Sequence, residues 1–350
     1  MNKISQCTIT LTRNCNLRCS FCYAKETKYV INDSIDFDQL LKVIDFCDEA
    51  EVKYLVFTGG EPLLYYKIID ALKYIKTKRN KMSPSLATNG IMLQNIDFCK
   101  DLVYNGIEYI DVSLKGKDDE ECINQVGKSC HISQMAAINN LSKCSVEFTC
   151  SMVITMNNVF SLCETVEKAL NHGAKQFSFT FVIDNEQSVV KGFKYLERNN
   201  YFQLIEAFTN QIDNLNKLTQ NWWVEFSYPM CAYTEKQRLL LRGKLSAPCQ
   251  IRHSNGITFD TNLNLIPCNM YFDNIMGQLG KDFSNYDEYL KYAESEQCKS
   301  IINKINILPS GKCTTCEYIG SCLGGCPVTW KNCSFSVFEE FKNYYLSMSN

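Results

Sequence analysis

Two periods alternate along the first 180 residues of the chain. Runs at 7–12, 53–58, 84–88, 108–114, 146–154 and 176–182 switch between apolar and polar at every residue, the period of a strand. Between them, apolar residues recur at helical spacing. Phe37, Leu40, Leu41, Ile44 and Cys47 follow Asp36, which with Gln39 marks a helix start of capping-box type. Stretches 66–78, 93–105 and about 159–172 repeat the pattern, and Gly106 and Gly173 are placed to cap two of them. Six such strand–helix units predict an α/β fold, a partial parallel barrel.

The polar alternation decides which way each strand faces. Thr8, Thr10 and Thr12 share one face of the first strand, Asp111, Ser113 and Lys115 one face of the fourth, and Gln176, Ser178 and Thr180 one face of the sixth. The opposite faces carry Ile9 and Leu11, then Ile110, Val112 and Leu114, then Phe177, Phe179 and Phe181. The apolar faces are expected under the helices. The polar faces should line a lumen wide enough for a cofactor and a substrate, with ligand chemistry at the strand C-terminal ends. Residues 185–245 are less regular. They predict a helix near 198–217, a short strand at 222–226 and a helix at 232–243, read as a bridge to a second unit.

Length and composition narrow the class. A chain of 350 residues has room for two or three units. Its 36 basic and 38 acidic side chains leave a formal charge of −2, which favours neither nucleic acid nor an anionic membrane as partner. No apolar run approaches the ~20 residues that span a bilayer, and the start of the chain lacks the apolar core of a signal peptide. Twenty cysteines without an export signal point to reduced thiols or metal ligands in a cytoplasmic protein. No GxSxG, P-loop or HExxH pattern offers another catalytic scheme.

Three of the cysteines, Cys15, Cys19 and Cys22, form a CxxxCxxC set on the loop after the first strand. A [4Fe–4S] cluster normally takes four thiolates, so three leave one iron open; zinc is the alternative occupant. Phe21 stands before the third cysteine, and the second strand ends in Gly59-Gly60-Glu61-Pro62. The two motifs together, in this order, resemble the radical S-adenosylmethionine (SAM) enzymes. The resemblance implies that Cys15, Cys19 and Cys22 hold a [4Fe–4S] cluster whose open iron binds SAM, and that reductive cleavage of SAM gives a 5′-deoxyadenosyl radical. It further implies adenine packing on Phe21, close approach of the backbone to the ligand at Gly59 and Gly60, and a hold on the methionyl ammonium by Glu61. Asn89 and Ser113, at the ends of the third and fourth strands, complete the expected SAM contacts. The chain departs from the family at two places. Lys115 stands where an aspartate is frequent, and Gln125 where an arginine often holds the SAM carboxylate. Lys115 is the candidate to meet that carboxylate instead.

A second set of cysteines begins at Cys249. A predicted hairpin, 256–260 with 264–268, leads to Cys268, and then Cys313, Cys316, Cys322 and Cys326 follow in CxxCx5CxxxC spacing, with Cys333 beyond. This resembles the SPASM domain carried by many radical SAM enzymes that modify peptides and proteins. The expected architecture is therefore a partial (βα)6 TIM-like barrel of radical SAM type with its bridging region (1–230), then a small cysteine-rich SPASM domain (231–350). By that resemblance Cys313, Cys316, Cys322 and Cys333 bind one auxiliary [4Fe–4S] cluster, and Cys249, Cys268 and Cys326 another. The second set lacks a fourth cysteine, leaving an open iron, His253 or a distant thiol such as Cys231. A zinc-ribbon-like site is the structural alternative. Among the other cysteines, Cys47, Cys99, Cys150 and Cys163 belong to apolar faces and are expected to pack, while Cys122 and Cys130 follow the fourth strand and are candidate hydrogen-atom donors.

The resemblance favours a peptide or protein substrate, altered by crosslinking, oxidation or epimerisation, with electrons from a donor such as flavodoxin or ferredoxin. The cysteine loop begins near residue 15, so a separate leader-peptide-binding protein is expected if the substrate carries a leader. The alternatives are a dehydrogenase or epimerase acting on a small molecule such as an amino sugar, and an iron–sulfur electron carrier.

Overall fold

Each of the six expected strands forms, within a residue of its predicted bounds. In the computed structural model, which describes residues 3–24, 33–183, 200–225, 228–246 and 249–331, β1 (Gln6–Thr12), β2 (Tyr54–Gly59), β3 (Ser83–Thr88), β4 (Tyr109–Ser113), β5 (Glu147–Ile154) and β6 (Phe177–Phe181) pair in order, all parallel. The crossovers are α1 (Phe37–Glu49), α2 (Ile68–Ile75), α3 (Ile96–Tyr104), the pair α4 (Asp119–Val126) and α5 (His131–Lys143), and α6 (Leu162–Asn171). Asp36 caps α1 as its sequence predicts, accepting the N–H groups of Asp38 and Gln39. The α1 stripe Leu40, Val43, Ile44 and Cys47 is fully buried against the strands.

The outward strand faces are apolar, as read from the alternation. Phe177, Phe179 and Phe181 are buried. Phe208 lies 5.7 Å from Phe179 and 5.2 Å from Phe181, ring centre to ring centre, in edge-to-face geometry. Such pairs add about 0.5–1.5 kcal/mol each beyond their burial.

Two expectations change. The predicted bridge does not leave the sheet. It supplies α7 (Asn200–Thr209) and α8 (Ile212–Leu218) where one helix was expected, then β7 (Trp222–Glu225), α9 (Glu235–Leu240) and β8 (Leu245–Ser246). β7 joins β6 in parallel and β8 joins β7, so the barrel wall continues past its sixth strand. Residues 198, 199 and 226 of those predicted elements lie outside the described residues. The hairpin forms as β9 (Gly256–Phe259) and β10 (Asn264–Ile266), but β9 also pairs in parallel with β1. The cysteine-rich segment thus begins as the other edge of one 11-stranded sheet, ending in β11 (Gly277–Gln278). Phe46 of α1 rivets it there, its ring 5.6–6.0 Å from those of Phe259, Phe283, Tyr286 and Tyr289. Among the described residues no helix is long and apolar enough to cross a membrane.

Candidate active site at the strand C-terminal ends

The cysteine loop leaves β1 at Thr12 and is tied down on two sides. On one side the end of β2 holds its start. Gly60 N–H donates to Thr12 O and Glu61 N–H to Asn14 O, both at 2.7 Å. This approach explains both glycines. A Cβ on Gly59 would lie 2.2 Å from Thr12 O, and one on Gly60 would lie 2.3 Å from Asn14 O. The glycines were expected to admit a ligand, but what they meet is the backbone of the cysteine loop, because the parallel pairing of β1 with β2 lays that loop across them. On the other side α4 holds the middle of the loop: Arg18 N–H donates to Val126 O and Ser20 N–H to Gln125 O, at 2.9 Å each. Leu17, Ile91, Cys122, Val126 and Cys130 form a small apolar cluster beneath it, against which Cys15, Cys19 and Phe21 pack.

Glu61 is fully buried and both its oxygens are engaged by the protein. Oε1 accepts the Thr88 hydroxyl at 2.6 Å and the Leu63 N–H at 3.1 Å; Oε2 accepts the Asn89 N–H at 2.8 Å. Burial raises its pKa and these three donors oppose the rise. Glu61 thereby braces the end of β3 against the end of β2, a bond set that the expected ammonium contact would have to share. Asn89 is likewise committed, its Nδ2 donating to Asn16 Oδ1 at 2.7 Å.

Lys115, one of the two family departures, lies at the centre of this end of the lumen. Its ammonium donates to Ser113 Oγ at 2.6 Å and faces the Phe21 ring at 5.6 Å from the centroid. It is buried, and its charge acts on Cys15, Cys19 and Glu61. Gln125, the other departure, is buried and spans Lys115 O and Asn158. The residue that sequence reasoning missed is Gln134 of α5. Fully buried, its Nε2 donates to Asn89 O and Ser113 O at 2.7 and 2.9 Å, and its Oε1 accepts the Lys115 N–H at 3.1 Å. It clasps the ends of β3 and β4 together. The available signal was one amide on an otherwise apolar helix stripe with Met135, Ala137, Ile138 and Leu141.

The loop thiols influence one another. Burial chiefly raises Cys15, with Glu61 and Cys22 adding to the rise. Cys19 is pushed up to about 11 by burial, with Cys22, Cys15 and Cys130 adding and Lys115 opposing. Backbone N–H groups reach four of the candidate ligand sulfurs. Cys15 Sγ accepts the Leu17 N–H at 3.4 Å. In the C-terminal segment Cys268 takes N–H bonds from Met270 and Tyr271, Cys322 from Met230, Gly324 and Gly325, and Cys326 from Val328 and Thr329. Buried Cys99 and Cys298 do the reverse and donate to Leu93 O and Met276 O. Burial raises the thiols of Cys15, Cys268, Cys322 and Cys326, Cys268 to about 12 and Cys326 to about 11, and the N–H donors oppose that rise in favour of the thiolate, the form that binds metal. Among the described residues no three His, Cys, Asp or Glu side chains converge as they would on a single ion. A [4Fe–4S] cluster asks for something different, one thiolate for each iron. The donor set of the loop fits that group.

The C-terminal cysteines fall into two groups. Cys249, Cys268 and Cys326 pack on an apolar nest of Ile251, Tyr271, Ile305 and Val328. Cys313, Cys316 and Cys322 form the other, and Cys231 joins them: its thiol feels all three, and its neighbour Met230 bonds to Cys322 Sγ at 3.3 Å. Cys231 therefore belongs with the set it was not expected to serve, and His253 is exposed at the end of a short helix. Cys333 lies outside the described residues. Cys122 and Cys130 hydrogen-bond to each other behind the cysteine loop, in the apolar cluster beneath it.

At the opposite end of the strands from the loop lies a cavity of about 500 Å³. Its rim includes the first residue of each of five strands, Gln6, Tyr54, Ser83, Tyr109 and Glu147. Asp111 and Glu225 line it from β4 and β7.

Comparison with known proteins places this arrangement. Residues 9–179 match the Radical SAM superfamily. Curated relatives include the GTP 3′,8-cyclases of Clostridium perfringens, 36% identical over 114 residues (32% of this chain, 35% of theirs), and of Campylobacter jejuni, 25% identical over 206 residues (58% and 63%). The chain thus spans from about a third to under two thirds of those relatives. Two solved structures share the fold over nearly the whole chain. The structure of anSMEcpe with bound AdoMet is 18% identical with a TM-score of 0.69, covering 98% of this chain and 97% of its own. Streptococcus suis SuiB bound to precursor peptide SuiA is 17% identical with a TM-score of 0.67, covering 95% and 74%. The family match runs from within β1 to within β6 and takes in both motifs at the strand ends; this half of the chain is a radical SAM domain.

Proposed function

We propose that this protein cleaves SAM reductively and takes hydrogen from a carbon of a peptide or protein substrate. The observation that carries the reading is the docking of the three-cysteine loop onto the Gly59-Gly60-Glu61 strand end through paired backbone hydrogen bonds. When bound, a [4Fe–4S] cluster on Cys15, Cys19 and Cys22 supplies the electron that breaks the SAM sulfonium bond. The chain's own work is positional. Glu61, Thr88 and Asn89 lock the β2 and β3 ends, Gln134 locks β3 to β4, and Lys115 sets a positive charge beside the thiolates and above the lumen. The apolar packing of the loop on Leu17, Ile91 and Val126 keeps water from its underside.

Auxiliary clusters on Cys249, Cys268 and Cys326, and on Cys313, Cys316, Cys322 and Cys333, belong to the same proposal. Their N–H···S bonds support it. They would pass electrons onward or hold the substrate, with a flavodoxin or ferredoxin as donor and a separate leader-binding protein as further partner. The peptide reading is supported by likeness over nearly the full chain to two proteins whose structures hold peptides, anSMEcpe with Kp18Cys and SuiB with SuiA. The second reading, a nucleotide substrate as in the GTP 3′,8-cyclases, is favoured by sequence identity within the barrel half.

The test is anaerobic reconstitution with iron and sulfide, then SAM and dithionite. The protein should release 5′-deoxyadenosine, and a C15A/C19A/C22A variant should not. Intact clusters with no 5′-deoxyadenosine would overturn the reading in favour of an electron carrier. Short peptides encoded beside the gene, followed by mass spectrometry and deuterium uptake, then separate peptide from nucleotide.

A further inference from the structure

The cavity at the strand starts is unusual in charge. Asp111, Glu225, Glu108 and Glu147 line it, with no lysine, arginine or histidine among the described residues of its wall. Glu108 and Glu147 sit at the rim, where Glu108 stands 3.9 Å from the Lys81 ammonium. Asp111 and Glu225 sit deeper, and the Glu225 charge acts on Asp111. Glu225 has the Thr180 hydroxyl at 3.1 Å. Asp111 Oδ1 is sealed from solvent and has no hydrogen-bond partner among the described residues. A buried carboxylate oxygen left without a donor carries an uncompensated desolvation penalty. Lys115 does not answer it, since its ammonium is bonded to Ser113, one pleat nearer the cysteine loop. The remaining lining includes the Trp223 and Tyr109 rings and the Ser178 hydroxyl.

We propose that Asp111 and Glu225 form a cation-binding floor of the substrate site, taking a primary ammonium of the substrate while its carbon chain runs up the lumen toward the cysteine loop. The inference rests on the radical SAM reading above and adds the substrate's chemical class. The geometry sets a reach. Asp111 lies two residues before Ser113 on the same strand face, a rise of about 7 Å. That is close to the length of a lysine side chain, so the atom brought beneath the SAM end lies near the far end of a four-carbon stem. An ammonium between the two carboxylates supplies the missing donor to Asp111 Oδ1 and offsets their mutual repulsion. Burial pushes Asp111 up to about 7, with the Glu225 charge adding and the Ser151 hydroxyl and Lys115 opposing. This is the expected state of such a carboxylate before its counter-ion arrives. The neutral alternative, a hydroxyl in place of the ammonium, leaves that charge unanswered.

The probes are n-hexylamine and 1-hexanol, equal in length and differing in charge. Each is titrated into the anaerobically reconstituted protein at pH 8, with binding read by saturation-transfer NMR. Hexylamine should bind at least tenfold more tightly than hexanol. Asp111→Asn and Glu225→Gln, made singly and together, should reduce that ratio to within about twofold. Near-UV circular dichroism identifies any variant that fails to fold, and the other single variant then carries the comparison. Equal binding of amine and alcohol by the parent protein, or an amine preference retained by a folded variant, overturns the proposal. The functional reading fails separately: amine preference without 5′-deoxyadenosine release would leave the cation site standing and remove the radical chemistry.

Discussion

Replacing Asp111 by asparagine should stabilise the protein above neutral pH. The carboxyl titrates near 7 in the fold against an ordinary value of 3.8, mainly because burial disfavours its charged form. About three units at about 1.36 kcal/mol each gives up to about 4 kcal/mol. The sign follows from proton binding. Between pH 4 and 7 the folded protein holds a proton at Asp111 that the unfolded chain has released. Stability from this group is therefore complete below pH 4, falls by about 1.4 kcal/mol per unit as pH rises, and is lost above 7. Asparagine keeps the shape and has no charge to strand. The measurement is the thermal midpoint of parent and variant under anaerobic reducing conditions at pH 5, 6, 7 and 8.5. The variant's advantage should grow from pH 5 to 7 and then level off, and other titrating groups cancel in the difference. A difference that does not change with pH, or one that turns against asparagine at pH 8.5, refutes the argument that the lumen carboxylate is buried without sufficient compensation.

Three further outcomes follow from the site and the core. Gly60→Ala drives a Cβ to 2.3 Å from Asn14 O, a backbone clash that only a shift of the loop relieves; bound iron should fall by several atoms per chain, and full iron retention would refute it. Gln134→Leu leaves Asn89 O, Ser113 O and Lys115 N–H without their partner, costing about 2–4 kcal/mol and weakening SAM binding measured by equilibrium dialysis; unchanged SAM affinity would deny its clasping role. Phe46→Ala removes the ring shared by four aromatic neighbours from the C-terminal segment. It should cost about 3–5 kcal/mol and expose sites after residue 253 to limited proteolysis, and an unchanged digestion pattern would sink that reading.

The residues that carry chemistry by type and spacing were legible in advance. Cys15, Cys19 and Cys22 stand at a spacing that resembles the radical SAM loop, and the family match covers all three. Gly59, Gly60 and Glu61 announce a close approach because glycine is costly without one. The strands were legible because a wall with one greasy and one wet face must alternate residue by residue, which sets Asp111, Ser113 and the Thr8–Thr12 series on one side. That pattern is local, so it survives without knowledge of the fold.

What the approach at Gly60 meets is not local. Thr12 and Asn14 lie more than forty residues away, and only the parallel register of β1 with β2 brings their carbonyls there. The same holds for Gln134, an ordinary helix amide until α5 is laid across the ends of β3 and β4. It holds for β9, whose sequence asks for a hairpin but cannot name β1 as its second neighbour. The placement of Cys231 among Cys313, Cys316 and Cys322 follows from packing that no spacing rule encodes. Sequence alone determined residue type, period and short-range spacing, and with them the strands and the position of the cysteine loop. Tertiary structure decided partners, because long-range pairing depends on the whole core closing, and with it that Asp111 Oδ1 is buried in the lumen without a donor among the described residues.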